Sequence, residues 1–264
     1  MIFTLTIIFF ILGLVIGSFL NVVILRLNTE RSFGGRSGCM SCQKKLSWYE
    51  LIPVFSYLGL LGRCSGCKSK ISSQYPLVEF ATGLIFAGLF IKFQDIFLIN
   101  TITFAIVYSY YAAISALLMI ISVYDLKHKI IPDVLAFALG ILGFVGLFFF
   151  DTDGYVVFYP HIPSLLDFAS GLFVAAPFAL FWLVSSGKWM GLGDAKLALG
   201  LGWILGLSKA ISAIVLAFWS GALIGIFLIF FSKKYGMKSE IPFAPYLVFG
   251  AILVFMFELH IFVF

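Results

Sequence analysis

Charge is what this sequence has least of. Asp, Glu, Lys and Arg together make up 11% of its 264 residues, against 62% apolar and 18% aromatic side chains. A chain this poor in charge excludes a water-soluble domain of the same length, because no soluble core needs so much apolar surface. Cysteine is also scarce. The four residues all lie between positions 39 and 67, which excludes a disulfide framework running through the molecule. No signal peptide is visible: the first apolar run, Ile2 to Leu25, is too long for one and lacks a basic start and a small-residue cleavage site. It reads as a retained first span. A Gly-rich strand-to-helix turn of the usual nucleotide-binding kind is missing as well.

What is present is a series of apolar runs, with a mean hydropathy of +1.12. They predict an all-α polytopic membrane protein of about eight spans, over 2–25, 76–94, 97–123, 131–150, 165–186, 194–207, 210–232 and 242–264. The basic residues orient it. Arg26, Arg31, Arg36, Lys44, Lys45, Arg63, Lys68 and Lys70 occupy the polar segment 26–75. With eight spans the same side receives Lys127, Lys129, Lys188, Lys196, Lys233, Lys234 and Lys238, and the other side only Lys92 and Lys209. Positive-inside placement puts 26–75 in the cytosol and both chain ends outside. The loop 151–164, with Asp151, Asp153 and His161 but no Lys or Arg, agrees. A net charge of +5 distributed in this way reports orientation, not nucleic-acid binding.

A cytosolic 26–75 segment keeps its cysteines reduced. Cys39-x2-Cys42 and Cys64-x2-Cys67 then form two knuckles that predict one structural Zn²⁺ site of four thiolates, in a module too small to fold on its core alone. Free thiols or a redox pair are the blander alternative.

The remaining chemistry lies with carboxylates at membrane depth, where an ionisable group marks function by default. Asp125 follows the third span and Asp194, in Gly191-Leu192-Gly193-Asp194, opens the sixth; both fall at the cytosolic end. Two carboxylates within reach of one water share a proton, one acting as base toward the water and the other donating to a scissile carbonyl. Taken singly they have structural readings: Asp125 beside Lys127 and Lys129 at the interface, Asp133 as a helix cap near Pro132, Asp194 paired with Lys196 or capping its helix. A proton-coupled transporter uses carboxylates in similar places, and a membrane scaffold would need neither. Glu79 lies just inside the second span, while Glu258 and His260 sit at the outer end of the last. Gly13 and Gly17 form a GxxxG pattern suited to close helix packing, and Trp48 and Tyr49 suit a membrane surface.

In order along the chain, these residues resemble the type IV prepilin peptidases, bifunctional leader peptidase/N-methyltransferases of the GxGD aspartic-protease class. The resemblance runs from Gly17-Ser18-Phe19-Leu20-Asn21 through both Cys pairs, Leu51-Ile52-Pro53-Val54 and Tyr75-Pro76-Leu77-Val78-Glu79. It continues through Asp125, Ile131-Pro132-Asp133, Met190 to Leu197 and Ile241-Pro242-Phe243-Ala244-Pro245. It departs at Ala244, where the family usually has Gly, and at Asn28, where Pro commonly follows Arg-Leu. The resemblance implies catalytic roles for Asp125 and Asp194 and prepilin or pseudopilin substrates cut on the cytosolic side. It also implies S-adenosylmethionine as methyl donor, an inner-membrane location, and a methyltransferase function associated with the four-Cys region. The expected organisation is a first helix 1–25, the module 26–75 and a peptidase domain 76–264. Glu79 is the candidate for the methyl-donor site, and Glu50 or Glu79 for receiving a basic leader.

Overall fold

A computed structural model describes residues 1–29, 34–35, 37–151, 157–231, 236 and 240–261. Arg31, Arg36, Asp153, Lys233, Lys234 and Lys238, which enter the charge count above, lie outside the described residues. The chain divides into two compact units, Met1–Ile120 and Ile121–Phe264.

The first unit is built on α1 (Ile2–Arg26) and α3 (Gln74–Ile99), which pack along their length. Gly13 and Gly17 make that approach possible. A Cβ at Gly17 would lie 2.7 Å from the Glu79 Cα, and one at Gly13 would lie 2.7 Å from the Thr82 carbonyl oxygen. Asn100 ends α3, and its side-chain oxygen accepts from the Ile102 and Thr103 N–H groups at 2.9 and 3.2 Å to start α4 (Thr101–His128). An aromatic cluster fills the interior: Phe9 stacks on Phe90 at 4.7 Å and meets Tyr108 at 4.7 Å, while the Tyr108 hydroxyl donates to the Phe86 carbonyl at 3.2 Å.

Between α1 and α3 lies the small module, with a 3₁₀ turn at Trp48–Leu51 and the short helix α2 (Phe55–Gly59). Its two knuckles are structural copies of one another. Gln43 N–H donates to Cys39 O at 2.9 Å, as Lys68 N–H donates to Cys64 O at 3.0 Å. Cys39 N–H donates to Lys44 O and Cys64 N–H to Ser69 O, and single antiparallel bridges join Gly38 to Lys45 and Arg63 to Lys70. Gln43 and Lys68 both take the left-handed conformation, φ 56° and 59°, that turns each chain back after its second cysteine. Glu50 ties the knuckles together. Its carboxylate accepts from Ser47 N–H at 2.7 Å, from the Ser65 hydroxyl, and from Lys44 Nζ at 3.2 Å. It is thereby committed inside the module and is not exposed to meet a leader peptide, which corrects that expectation.

The second unit contains the end of α4, then α5 (Asp133–Gly146), β1 (Phe150–Asp151), β2 (Val157–Phe158), α6 (Leu165–Ser185), α7 (Leu192–Phe231) and α8 (Ala244–Phe257). The two strands pair antiparallel, Phe150 opposite Phe158 and Asp151 opposite Val157. Ser164 and Asp167 form a capping box that starts α6. At Gly206 α7 is interrupted, with φ 73° and ψ 168°, a backbone region open to glycine and not to other residues. The break falls where the expected sixth span ends. α5, α6 and α8 all pack against α7, and Gly202 approaches Gly171 so closely that a Cβ would lie 2.6 Å from its Cα.

The all-α membrane class is as expected, but the count of eight spans is finer than what is observed. Among the described residues, five helices are long and apolar enough to cross a membrane: α1, α3, α4, α6 and α7. α5 and α8 are shorter apolar helices of 14 residues each. Beyond the Gly206 break, the buried Lys209 pairs with Glu258 at 2.6 Å, and Ser208 meets His260 Nδ1 at 3.2 Å. Lys209, Glu258, Ser208 and His260 thus gather in one cluster beyond the break.

Two outcomes follow. Gly17→Leu forces a side chain into α3 and should cost stability by roughly 1–3 kcal/mol, whereas Gly140→Ala, whose Cβ meets open space, should leave the unfolding temperature in detergent close to wild type. The backbone N–H of Ser47, the Ser65 hydroxyl and the Lys44 ammonium hold the Glu50 carboxyl down from 4.5 to about 2. Its contribution to the module is therefore present above pH 4.5 and lost as the pH falls toward 2. Glu50→Gln should flatten the acid limb of module unfolding followed by Trp48 fluorescence.

Candidate active site and metal centre

Asp125 lies in the last turn of α4, not beyond it, because the helix continues to His128 and Lys129 N–H closes the turn on the Asp125 carbonyl at 2.7 Å. Its side chain is buried, and Oδ2 accepts from the backbone N–H of Ala244 at 3.2 Å. Ala244 is the first residue of α8, so the carboxylate sits where the helix leaves N–H groups without internal partners. Ala244 is itself fully buried. Because the contact is made by backbone, the Gly-to-Ala departure noted in the sequence keeps the donor.

Asp194 occupies the first turn of α7, half-buried, with its N–H donating to Gly191 O at 3.2 Å. Its carboxylate and that of Asp125 lie near enough to interact electrostatically. The segment after Asp125 is fastened to the start of α7 at two further points. A Cβ at Gly193 would lie 2.9 Å from Ile131 Cβ, so the second glycine of the Gly-x-Gly-Asp sequence is what lets Ile131 approach. Lys196 Nζ reaches Asp133 Oδ1 at 2.6 Å. Lys196 therefore pairs with Asp133 and not with Asp194, which leaves the Asp194 carboxylate to the neighbourhood of Asp125. Two carboxylates in mutual range can divide the labour of activating a water and protonating a carbonyl. Sequence reasoning did not foresee the Ala244 N–H or the Ile131–Gly193 contact. The signal for both lay in the short Ile-Pro motifs that precede α5 and α8.

In the module the four sulfurs of Cys39, Cys42, Cys64 and Cys67 lie within 4.8 Å of one another, with Cys39–Cys67 at 3.8 Å and Cys42–Cys64 at 4.0 Å. A tetrahedron with metal–sulfur bonds of about 2.3 Å has edges of about 3.8 Å, so the donor set fits a single ion. The electrostatics agree. N–H groups of Cys42 and Ser41 bring the Cys39 thiol down to about 6, and Ser69 lowers that of Cys67. For Cys42 the Lys44 N–H favours the thiolate, but Cys67, burial and the other two sulfurs outweigh it and push the thiol up to about 11. Four thiolates this close repel one another, and a dication removes the conflict.

Glu79 is buried at the first turns of α3, where Oε2 accepts from Val54 N–H at 2.7 Å and the side chain also meets Ser18. Val54 is a β-branched residue at φ 62°, ψ −51°, and Phe55 N–H closes a three-residue turn onto Pro53 O at 2.6 Å. This is a costly conformation. Nearby, Asn21 donates to Tyr75 O at 3.1 Å and Gly17 O at 3.3 Å. Glu79 thus fastens to α3 the turn that precedes α2 inside the module.

Known proteins resemble the chain over both segments that carry these residues. Residues 11–93, which include the four cysteines and Glu79, match the bacterial peptidase A24 N-terminal domain. Residues 112–226, which include Asp125 and Asp194, match the type IV leader peptidase family. A prepilin leader peptidase/N-methyltransferase of Xanthomonas campestris is 32% identical over 273 residues, covering 92% of this chain and 88% of the relative. One from Bacillus subtilis is 30% identical over 256 residues, covering 95% and 93%. One from Myxococcus xanthus is 31% identical over 243 residues, which is 88% of this chain but 65% of the longer relative. No solved structure matches the chain. Both family matches fall on the segments that carry the site residues, and the chain belongs to the type IV leader peptidase family.

Proposed function

We propose that this chain cleaves the leader peptide of type IV prepilins or pseudopilins at the cytosolic face of the bacterial inner membrane and N-methylates the residue so exposed. The observation that carries the reading is the pairing of Asp125 and Asp194 in one unit, near enough to interact, with Lys196 diverted to Asp133. One carboxylate takes a proton from water while the other gives one to the scissile carbonyl, and the roles exchange as the leader departs. The Ala244 N–H fixes the position of the Asp125 carboxylate. A proton-coupled transporter is not favoured, since the relatives are peptidase/methyltransferases by name.

The four cysteines we assign to a structural Zn²⁺ ion, on the fit of their sulfurs to a tetrahedron. Residues 26–75 form the module associated with methyl transfer, between a first helix 1–25 and a peptidase domain 76–264. S-adenosylmethionine supplies an electrophilic methyl group when bound. Glu79 is our candidate at the donor site, acting through the turn it fixes at Val54.

Product mass after incubation with a prepilin, with and without S-adenosylmethionine, separates the two activities. Asp125→Asn and Asp194→Asn should each lower cleavage by at least about a thousandfold while leaving unfolding temperature and metal content unchanged; full cleavage by either variant would refute the dyad. Wild type should carry one zinc per chain. Cys39→Ser with Cys64→Ser should lose it and lose methylation more than cleavage, whereas retained metal would sink the four-sulfur site.

A further inference from the structure

The second unit contains a furrow of about 750 Å³ that the dyad does not use. α5 and α6 both pack on α7 but barely on each other, so a slot remains between them. Its floor is one stripe of α7, Ala195, Leu199 and Trp203, spaced four residues apart and about 12 Å long. One wall is α5 with Ala136 and Gly140, and the other is α6 with Ala175 and Ala179. On each wall small residues recur at a spacing of four, the pattern that admits another helix to close backbone approach.

The furrow has a direction. Its far end is closed where Trp203 meets Phe144 at 5.3 Å and its indole N–H donates to the Phe168 carbonyl at 3.0 Å. Its other end lies at Ala195, the residue after Asp194. There Lys196 is held aside by Asp133 and lies 5.3 Å over the Phe137 ring. Gly140 is buried by its neighbours, yet a Cβ built on it meets nothing within 4 Å, so its missing side chain points into the empty slot.

We propose that this furrow seats the first two turns of the substrate's apolar helix, the segment that directly follows the scissile bond. The proposal rests on the peptidase reading. A helix laid along the α7 stripe presents the peptide bond just before its first turn to Asp194, and the closed end at Trp203 sets how far the helix can slide. The furrow thereby positions the cleavage point by register against the helix and not by leader sequence alone.

The test uses the full chain and an intact prepilin in lipid nanodiscs. Gly140→Leu fills the slot from a position with room for the side chain. It should raise KM about tenfold, equivalent to about 1.4 kcal/mol of lost binding, with kcat nearly unchanged. A folded variant with wild-type KM overturns the proposal. Should Gly140→Leu fail to fold, a photoreactive residue at the exposed Ala176 on the same α6 wall decides it. An adduct on the first two turns of the prepilin helix is expected, and adducts to lipid alone overturn the proposal. If wild type cleaves no prepilin, the peptidase reading fails. If wild type cleaves but neither probe responds, the furrow assignment alone is wrong.

Discussion

A polar group surrounded by apolar side chains is tolerated only when it is partnered, and this chain is built around a handful of such pairings. Asp125 takes a backbone N–H from the start of α8. Glu79 takes one from Val54, Lys209 takes the Glu258 carboxylate, and Glu50 takes Ser47, Ser65 and Lys44. Among the described residues no buried side-chain nitrogen or oxygen is left without a partner. Removing one partner strands the other at a cost of several kcal/mol in such surroundings. These pairs therefore constrain where the helix ends lie more tightly than apolar packing does.

The pairings also assign the carboxylates different tasks. Asp133, Glu50 and Glu258 neutralise lysines and serve the fold. Glu79 fastens to α3 a turn inside the module whose central residue, Val54, disfavours that conformation. Among the described residues no lysine pairs with Asp194, since Asp133 takes Lys196, and its carboxylate is left in range of Asp125. Small residues make these contacts geometrically possible. Gly17 admits α3, Gly193 admits Ile131 and Gly202 admits Gly171. In a bilayer, where apolar burial gives helices no preference for one another over lipid, such close approach carries much of the packing energy.

The cysteine module follows a different logic. It has little core, and its order derives from two copies of one knuckle whose backbone hydrogen bonds converge four sulfurs. The repeat was visible in the paired Cys-x2-Cys spacing. The left-handed residues that close each copy, Gln43 and Lys68, carry no sequence signal of their own, since neither is a residue that favours that conformation.

The membrane class, the four-sulfur cluster, the breakpoint near Gly206 and the two candidate carboxylates were all legible in the sequence, because hydropathy, paired cysteines and isolated charges in apolar runs are local signals. Tertiary structure alone decided the rest. Nothing local distinguishes Lys196 pairing with Asp133 from Lys196 pairing with Asp194, since both partners lie within reach of a flexible ammonium. Nor could local pattern reveal that Ala244 offers its N–H to a residue 119 positions away or that Glu50 is turned inward. Those outcomes depend on which helix ends meet. That is set by the sum of small-residue contacts across a unit and not by any one stretch of chain.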